Sequence, residues 1–229
     1  MAKSKKNSNY VTAKTAEKKQ AATKQKQAKQ KKEQIKSIAV PAVILLLILG
    51  AIFAVIYFGG GFDYNPEATE HVAIQLEGYS TSLHVELYGD DAITTVRHFT
   101  SLVNSRYYDG KTLTAYSGGN LYFGAEETGK TGIKGEFAAN ETENKIPFRP
   151  GTLVMARGDD YDSAYGRFFV VTKDTDVSAL KGNYAAFGRI TDGMDVIEEI
   201  ISKLNVDADG KIPAAEQITI TEISAHDSH

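Results

Sequence analysis

The sequence predicts a mainly β domain, an antiparallel barrel with two helices, preceded by one transmembrane helix. Three observations carry this. Residues 38–58 run for 21 positions without a charged side chain. Beyond them, short stretches of alternating apolar and polar residues recur, separated by Gly, Asp and Ser. Two segments change to helical spacing, too few for a sheet of parallel strands joined by helices.

The 229-residue chain divides by charge. Residues 1–36 hold 12 Lys, no Arg, and the acids Glu17 and Glu33, a balance of +10 against −13 for the remainder. Parts so unlike do not share one folded unit. The head is rich in Lys, Gln and Ala and lacks the apolar surface for a core, so a disordered or partly helical tail is expected. Its lysines suit anionic lipid headgroups, and a purely topological role suits them equally. One aromatic, Tyr10, and no Arg argue against nucleic acid as partner.

Residues 37–58 read as the anchor. At ~1.5 Å per residue, a helix of this length matches the ~30 Å hydrocarbon core of a bilayer. Pro41 falls in the first turn, where its missing N–H costs little, and Tyr57 and Phe58 suit the far interface. The run is long for a signal peptide, and no small-x-small cleavage pattern follows it. The lysines are expected to keep the N-terminus cytoplasmic and the C-terminal domain extracytoplasmic. With no Cys in the chain, that domain depends on its core alone.

Residues 59–69 (GGGFDYNPEAT) read as a linker, and residues 70–226 as the domain. HVAIQLEG and SLHVELYG alternate in period two around Gly78-Tyr79-Ser80-Thr81, a hairpin pattern. In DDAITTVRHFTSLVN the apolar residues Ala92, Val96, Phe99 and Val103 recur at three and four, giving a helix of about three turns with Asp90 or Asp91 as cap. YYDGKTLTAYSGGNLYFG opens as a turn feeding a strand. LYFG, GTLVMAR, RFFVVT and YAAFGRI read as further strands. DGMDVIEEIISKL is the second helix, with Asp192 as expected cap, and QITITEIS is the closing strand.

The order of these elements, with YYDG, RPGTLVMA, RFFVVT and LKGNYAAFGRITDGMDVIEEI, resembles the cyclophilin family of peptidyl-prolyl cis-trans isomerases over residues 70–226. The resemblance implies a closed eight-stranded barrel with a helix at each end. It also implies an activity: rotation about the bond before proline, without cofactor.

In the family a Phe-His-Arg run follows the YDG turn, and its Arg is the catalytic cation. The corresponding residues here are Leu113, Thr114 and Ala115. The family's Phe-Met pair and the Gln that grips substrate correspond to Asn120, Leu121 and Phe123. The remaining pocket positions carry over to Phe169, Leu180, Tyr184, Arg167 and Arg157. Ala179 stands for the Trp of cyclosporin-sensitive members. Phe169, Leu121 and Leu180 also fit ordinary barrel core, and both arginines also fit a solvated surface. Catalysis is accordingly expected to be weak or lost at Ala115 and Phe123, with binding of extended proline-containing peptides retained. Either arginine is a candidate substitute for the missing cation.

NVDADGKIPAAE places Asn205, Asp207, Asp209, Gly210 and Glu216 at the spacing of a calcium loop. Pro213 and the strand that follows leave no exiting helix, so an acidic Asp-Gly turn is the expected reading and no metal site is assigned. Asn140-Glu141-Thr142 matches a glycosylation sequon. Histidine spacing suggests no metal, and no phosphate-binding glycine loop is present. The chain is thus expected to be a membrane-anchored folding factor acting on proline-containing segments of exported proteins. Two alternatives stand beside it: a non-catalytic binding or assembly module, and a scaffold whose lysine tail is the active part.

Overall fold

The computed structural model describes residues 64–125, 127 and 129–225, all of them in one compact unit. The tail at 1–36, the expected anchor at 37–58 and residues 59–63 of the linker lie outside the described residues. Among the described residues no helix is long and apolar enough to cross a membrane.

Eight strands form one sheet: β1 (Glu70–Leu76), β2 (Leu83–Leu87), β3 (Leu113–Ser117), β4 (Asn120–Phe123), β5 (Thr152–Met155), β6 (Phe168–Val171), β7 (Ala185–Asp192) and β8 (Ile220–Ala225). The order is β3-β4-β6-β5-β7-β2-β1-β8, and every neighbouring pair is antiparallel. The strands expected from alternation are all present. The barrel is less closed than expected. β3 and β8 form no ladder; a short seam before and at the start of β3 joins them. Gly110 N–H donates to Ile220 O (2.9 Å), Ile220 N–H to Lys111 O (2.7 Å) and Leu113 N–H to Ile218 O (2.9 Å). The sheet is a curled half-barrel drawn together at one seam.

There are three α-helices among the described residues rather than two: α1 (Ile93–Asn104), the single turn α2 (Val177–Leu180) and α3 (Met194–Lys203). α1 buries Val96, Phe99, Leu102 and Val103. Its N-terminus is not held by Asp90 or Asp91. The Glu136 carboxylate, 5% exposed, reaches it from a distant loop. It accepts from Thr94 N–H (2.9 Å), Thr95 N–H (2.9 Å) and the Thr95 hydroxyl (2.7 Å). Asp192 ends β7 instead of capping α3, and Gly193 takes the cap position at φ 94°. A Cβ there would lie 2.9 Å from Ser82 O, so the position requires glycine.

The core is aromatic. Phe168 packs against Phe123 (4.9 Å, stacked), Phe99 (5.6 Å) and Tyr108 (5.7 Å), and Phe99 against Phe187 (5.0 Å). Each such side chain contributes about 1.5–3 kcal/mol on burial, which is how the unit is stabilised without disulfides.

Candidate functional site

The β3–β4 hairpin carries the position of greatest interest, Ala115. Its strand is flanked by backbone on both edges. Ala115 pairs with Tyr122 of β4 on one side and bridges to Lys211 on the other. Tyr116 N–H donates to Gly210 O (2.8 Å) and Ile212 N–H to Thr114 O (2.9 Å). The Ala115 side chain is 5% exposed and offers no polar atom.

Side chains alternate across a strand, so the register decides which residues of β4 share a face with which of β6. Leu121 lies opposite Val170, Tyr122 opposite Phe169 and Phe123 opposite Phe168. Leu121 and Phe123 therefore face the core, each 0% exposed, and Phe123 stacks on Phe168. They do not line a peptide pocket, contrary to the expectation drawn from their order in the chain. The residues of β4 on the outer face are Asn120 and Tyr122, and Tyr122 is the site residue that sequence reasoning missed. The available signal was the period of two in NLYF against RFF. One aromatic of each pair must face in and the other out.

On this outer face the structure gathers three of the expected residues, Phe169, Tyr184 and Arg167, around Tyr122. The Tyr122 ring lies 5.1 Å from Phe169 at 43°, and Tyr184 meets Phe169 edge-on at 5.8 Å. The Arg167 guanidinium stands over Tyr122 at 4.5 Å. Arg167 immediately precedes β6, and its carbonyl accepts from Ala156 N–H (2.9 Å), so the pairing continues through it and sends it to the same side as Phe169, two residues on. Burial pushes the Tyr122 phenol above its ordinary pKa, and the Arg167 charge works against that shift. Leu180 is buried in the core cluster, and its carbonyl accepts from the N–H groups of Asn183 and Tyr184, which fixes where Tyr184 leaves α2.

Arg157 is committed elsewhere. Its Nε donates to Asn183 O (3.0 Å) and its Nη1 to Gly158 O (2.8 Å). Its guanidinium lies 4.8 Å from the Tyr184 and Tyr161 rings and 5.2 Å from Phe137. It ties three loops together. Between the two arginines opens a cleft of about 190 Å³ lined by Ala125, Glu127, Ala156, Ser163 and Tyr165 as well as both arginines. Glu127 is held on one side by Lys111 Nζ at 2.7 Å, which keeps its carboxyl below the ordinary range.

The calcium-loop spacing folds as a turn. The Asp207 carboxylate accepts from the N–H groups of Asp209 and Lys211 (both 2.9 Å), and Asn205 donates to Glu216 (3.1 Å). Among the described residues no group of three His, Cys, Asp or Glu is placed to hold a metal. The sequon's Asn140 donates its amide to Gly135 O and to Asp162 (both 2.8 Å).

Comparison with known proteins adds to this geometry. The family model described as cyclophilin type peptidyl-prolyl cis-trans isomerase/CLD matches residues 71–225. A peptidyl-prolyl cis-trans isomerase of Acinetobacter baylyi is 28% identical over 148 residues, 62% of this chain and 78% of that protein. One from Streptomyces antibioticus is 30% identical over 135 residues, 56% of this chain and 81% of that protein. Among solved structures, a cyclophilin-type isomerase of Cryptosporidium parvum, determined in the presence of the dipeptide Ala-Pro, superposes with a TM-score of 0.57. It has 20% identity and covers 69% of this chain and 100% of its own. A cyclophilin of Hirschia baltica gives 0.53 at 17% identity, over 70% of this chain and 75% of its own. The family model covers well over half of the chain, and the chain belongs to the cyclophilin-type peptidyl-prolyl cis-trans isomerase family.

Proposed function

We propose that residues 70–226 bind proline-containing segments of exported proteins outside the cytoplasm, tethered by residues 37–58, and isomerise X-Pro bonds slowly. The barrier to rotation is ~18–20 kcal/mol, and no covalent step is needed to lower it. Three things are required: an apolar seat for the proline ring, a grip on the neighbouring carbonyl, and a cationic N–H aimed at the imide nitrogen as its resonance is lost. Phe169 with Tyr184 supplies aromatic surface for the seat. The observation that carries the slow rate is Ala115, a buried methyl where the family places its cation. Losing one preorganised donor costs ~10²–10³ in rate.

Arg167 is the better substitute. Its guanidinium lies over the Tyr122 ring, which itself rests on Phe169 of the seat. The Cryptosporidium parvum structure was determined with Ala-Pro present, and the same ligand class is expected here. The test is exchange NMR on the full chain in nanodiscs with an Ala-Pro peptide. Peptide resonances are expected to shift on binding while isomerisation stays at least about a hundredfold below that of a relative retaining the Arg. A rate equal to that relative's would overturn the proposal. A non-catalytic binding or assembly module is the second reading, favoured by the same methyl. It gains if Arg167→Ala leaves the residual rate untouched. The lysine tail is assigned to anionic headgroups, which binding to phosphatidylserine vesicles in moderate salt would test.

A further inference from the structure

Phe169 is the largest apolar side chain on the outer face of β6, yet only 1% of it is exposed. Its cover is local. Tyr122, directly opposite in the β4–β6 register, lays its ring 5.1 Å away at 43°, close to a tilted stack. Tyr184 meets Phe169 edge-on, a geometry that leaves the ring face to another partner. Arg167 in turn rests on Tyr122 at 4.5 Å. A second aromatic surface of the chain thus sits where a ligand's apolar ring would otherwise sit.

We propose that Tyr122 is a built-in plug that sets which peptides the aromatic seat accepts, a conclusion that rests on the peptide-binding function proposed above. Ligand entry requires the Tyr122 ring to leave Phe169. Tyr184 stays, because its ring also bears on Arg157 and its N–H is held by Leu180 O. Tyr122 is the member that must move: its ring covers Phe169 and lies under Arg167, and swinging it out breaks its hydroxyl's hydrogen bond with the Asn120 side chain. Apparent affinity is then reduced by the fraction of molecules with the plug withdrawn, so a 10% open population lowers it about tenfold. The plug also selects: a segment with an aromatic ring beside its proline restores the stacking that Tyr122 loses, and is preferred over an Ala-Pro segment.

Two measurements on the full chain in nanodiscs test this. In the first, 4-fluorophenylalanine at position 169 reports solvent through its fluorine shift between H₂O and D₂O. No solvent shift is expected in the wild type or Tyr122→Phe, and a clear one in Tyr122→Ala. In the second, calorimetric titration with an Ala-Pro peptide is expected to show at least about tenfold tighter binding to Tyr122→Ala than to the wild type, with Tyr122→Phe, which keeps the ring and loses the hydrogen bond to Asn120, between the two. Equal or weaker binding by Tyr122→Ala with position 169 exposed overturns the plug and makes Tyr122 part of the seat. A solvent shift already present in the wild type overturns it as well. If Tyr122→Ala binds and the wild type does not at millimolar peptide, the plug stands and peptide binding as the native function falls.

Discussion

On the function proposed above, a methyl group and a guanidinium two strands apart decide what chemistry the outer face can do. Ala115 can neither donate a hydrogen bond nor carry charge, so any electrostatic help at an imide nitrogen must come from a neighbour. Arg167→Ala is expected to lower the residual isomerisation at least about tenfold, read by exchange NMR, because it removes the cation over the aromatic bed. Arg157→Ala acts on stability instead. It removes three hydrogen bonds to carbonyls and contacts with three rings, and should cost about 1–3 kcal/mol in denaturant unfolding. His98 gives a pH dependence. Partial burial holds its pKa below 6.5, opposed by a hydrogen bond with the Tyr165 backbone, and its ring packs edge-on to Tyr165 at 5.1 Å. The unfolded chain therefore binds the His98 proton more readily than the folded one. Its contribution to stability is full above pH 6.5 and declines as pH falls below it. His98→Phe should flatten the acid side of the stability profile, followed by thermal melts between pH 7 and 5; an unchanged slope would remove His98 from the account.

At the scale of elements, helix α1 shows what a sequence conceals. Its apolar spacing is plain, but its cap is Glu136, some 40 residues away in a loop without regular structure. Glu136→Ala leaves two backbone N–H groups of the first turn unpaired and should cost about 2–3 kcal/mol, with Glu136→Gln intermediate, measured by urea unfolding. A loss below about 0.5 kcal/mol would show that water replaces the carboxylate. Strands β1 and β2 were legible from period-two alternation, and β5 and β6 from short continuous apolar runs, both local properties. The single-turn α2 was not, since four residues carry no periodicity, and its cap, Asp176 accepting from Ser178 N–H, is as common in turns. Half of the candidate site was legible by the same logic. Arg157 ties neighbouring loops together, whereas Phe169 and Arg167 lie on the outer face with Tyr122, where Tyr184 packs against Phe169. Leu121 and Phe123 do not lie there, because position along the chain was matched without the one-residue change of face that the β4–β6 register imposes.

At the scale of the whole chain, charge separates the parts as sharply as hydropathy does. Residues 1–36 carry a net +10 and the rest of the chain −13, the asymmetry on which the proposed placement on opposite sides of a membrane rests. The barrel is compatible with the outer side: it draws its stability from an aromatic core and a backbone seam, and has no thiol to oxidise. The same absence of cysteine supplies the test. Val206 is 41% exposed in the loop between α3 and β8, so Val206→Cys introduces a single reactive thiol at the surface with little effect on packing. In intact cells this thiol should react fully with a membrane-impermeant maleimide. A second variant, Ser4→Cys in the lysine-rich head, should react only after permeabilisation. The reverse pattern would put the barrel in the cytoplasm and end the case for exported clients. Labelling of both without permeabilisation would remove the anchor itself.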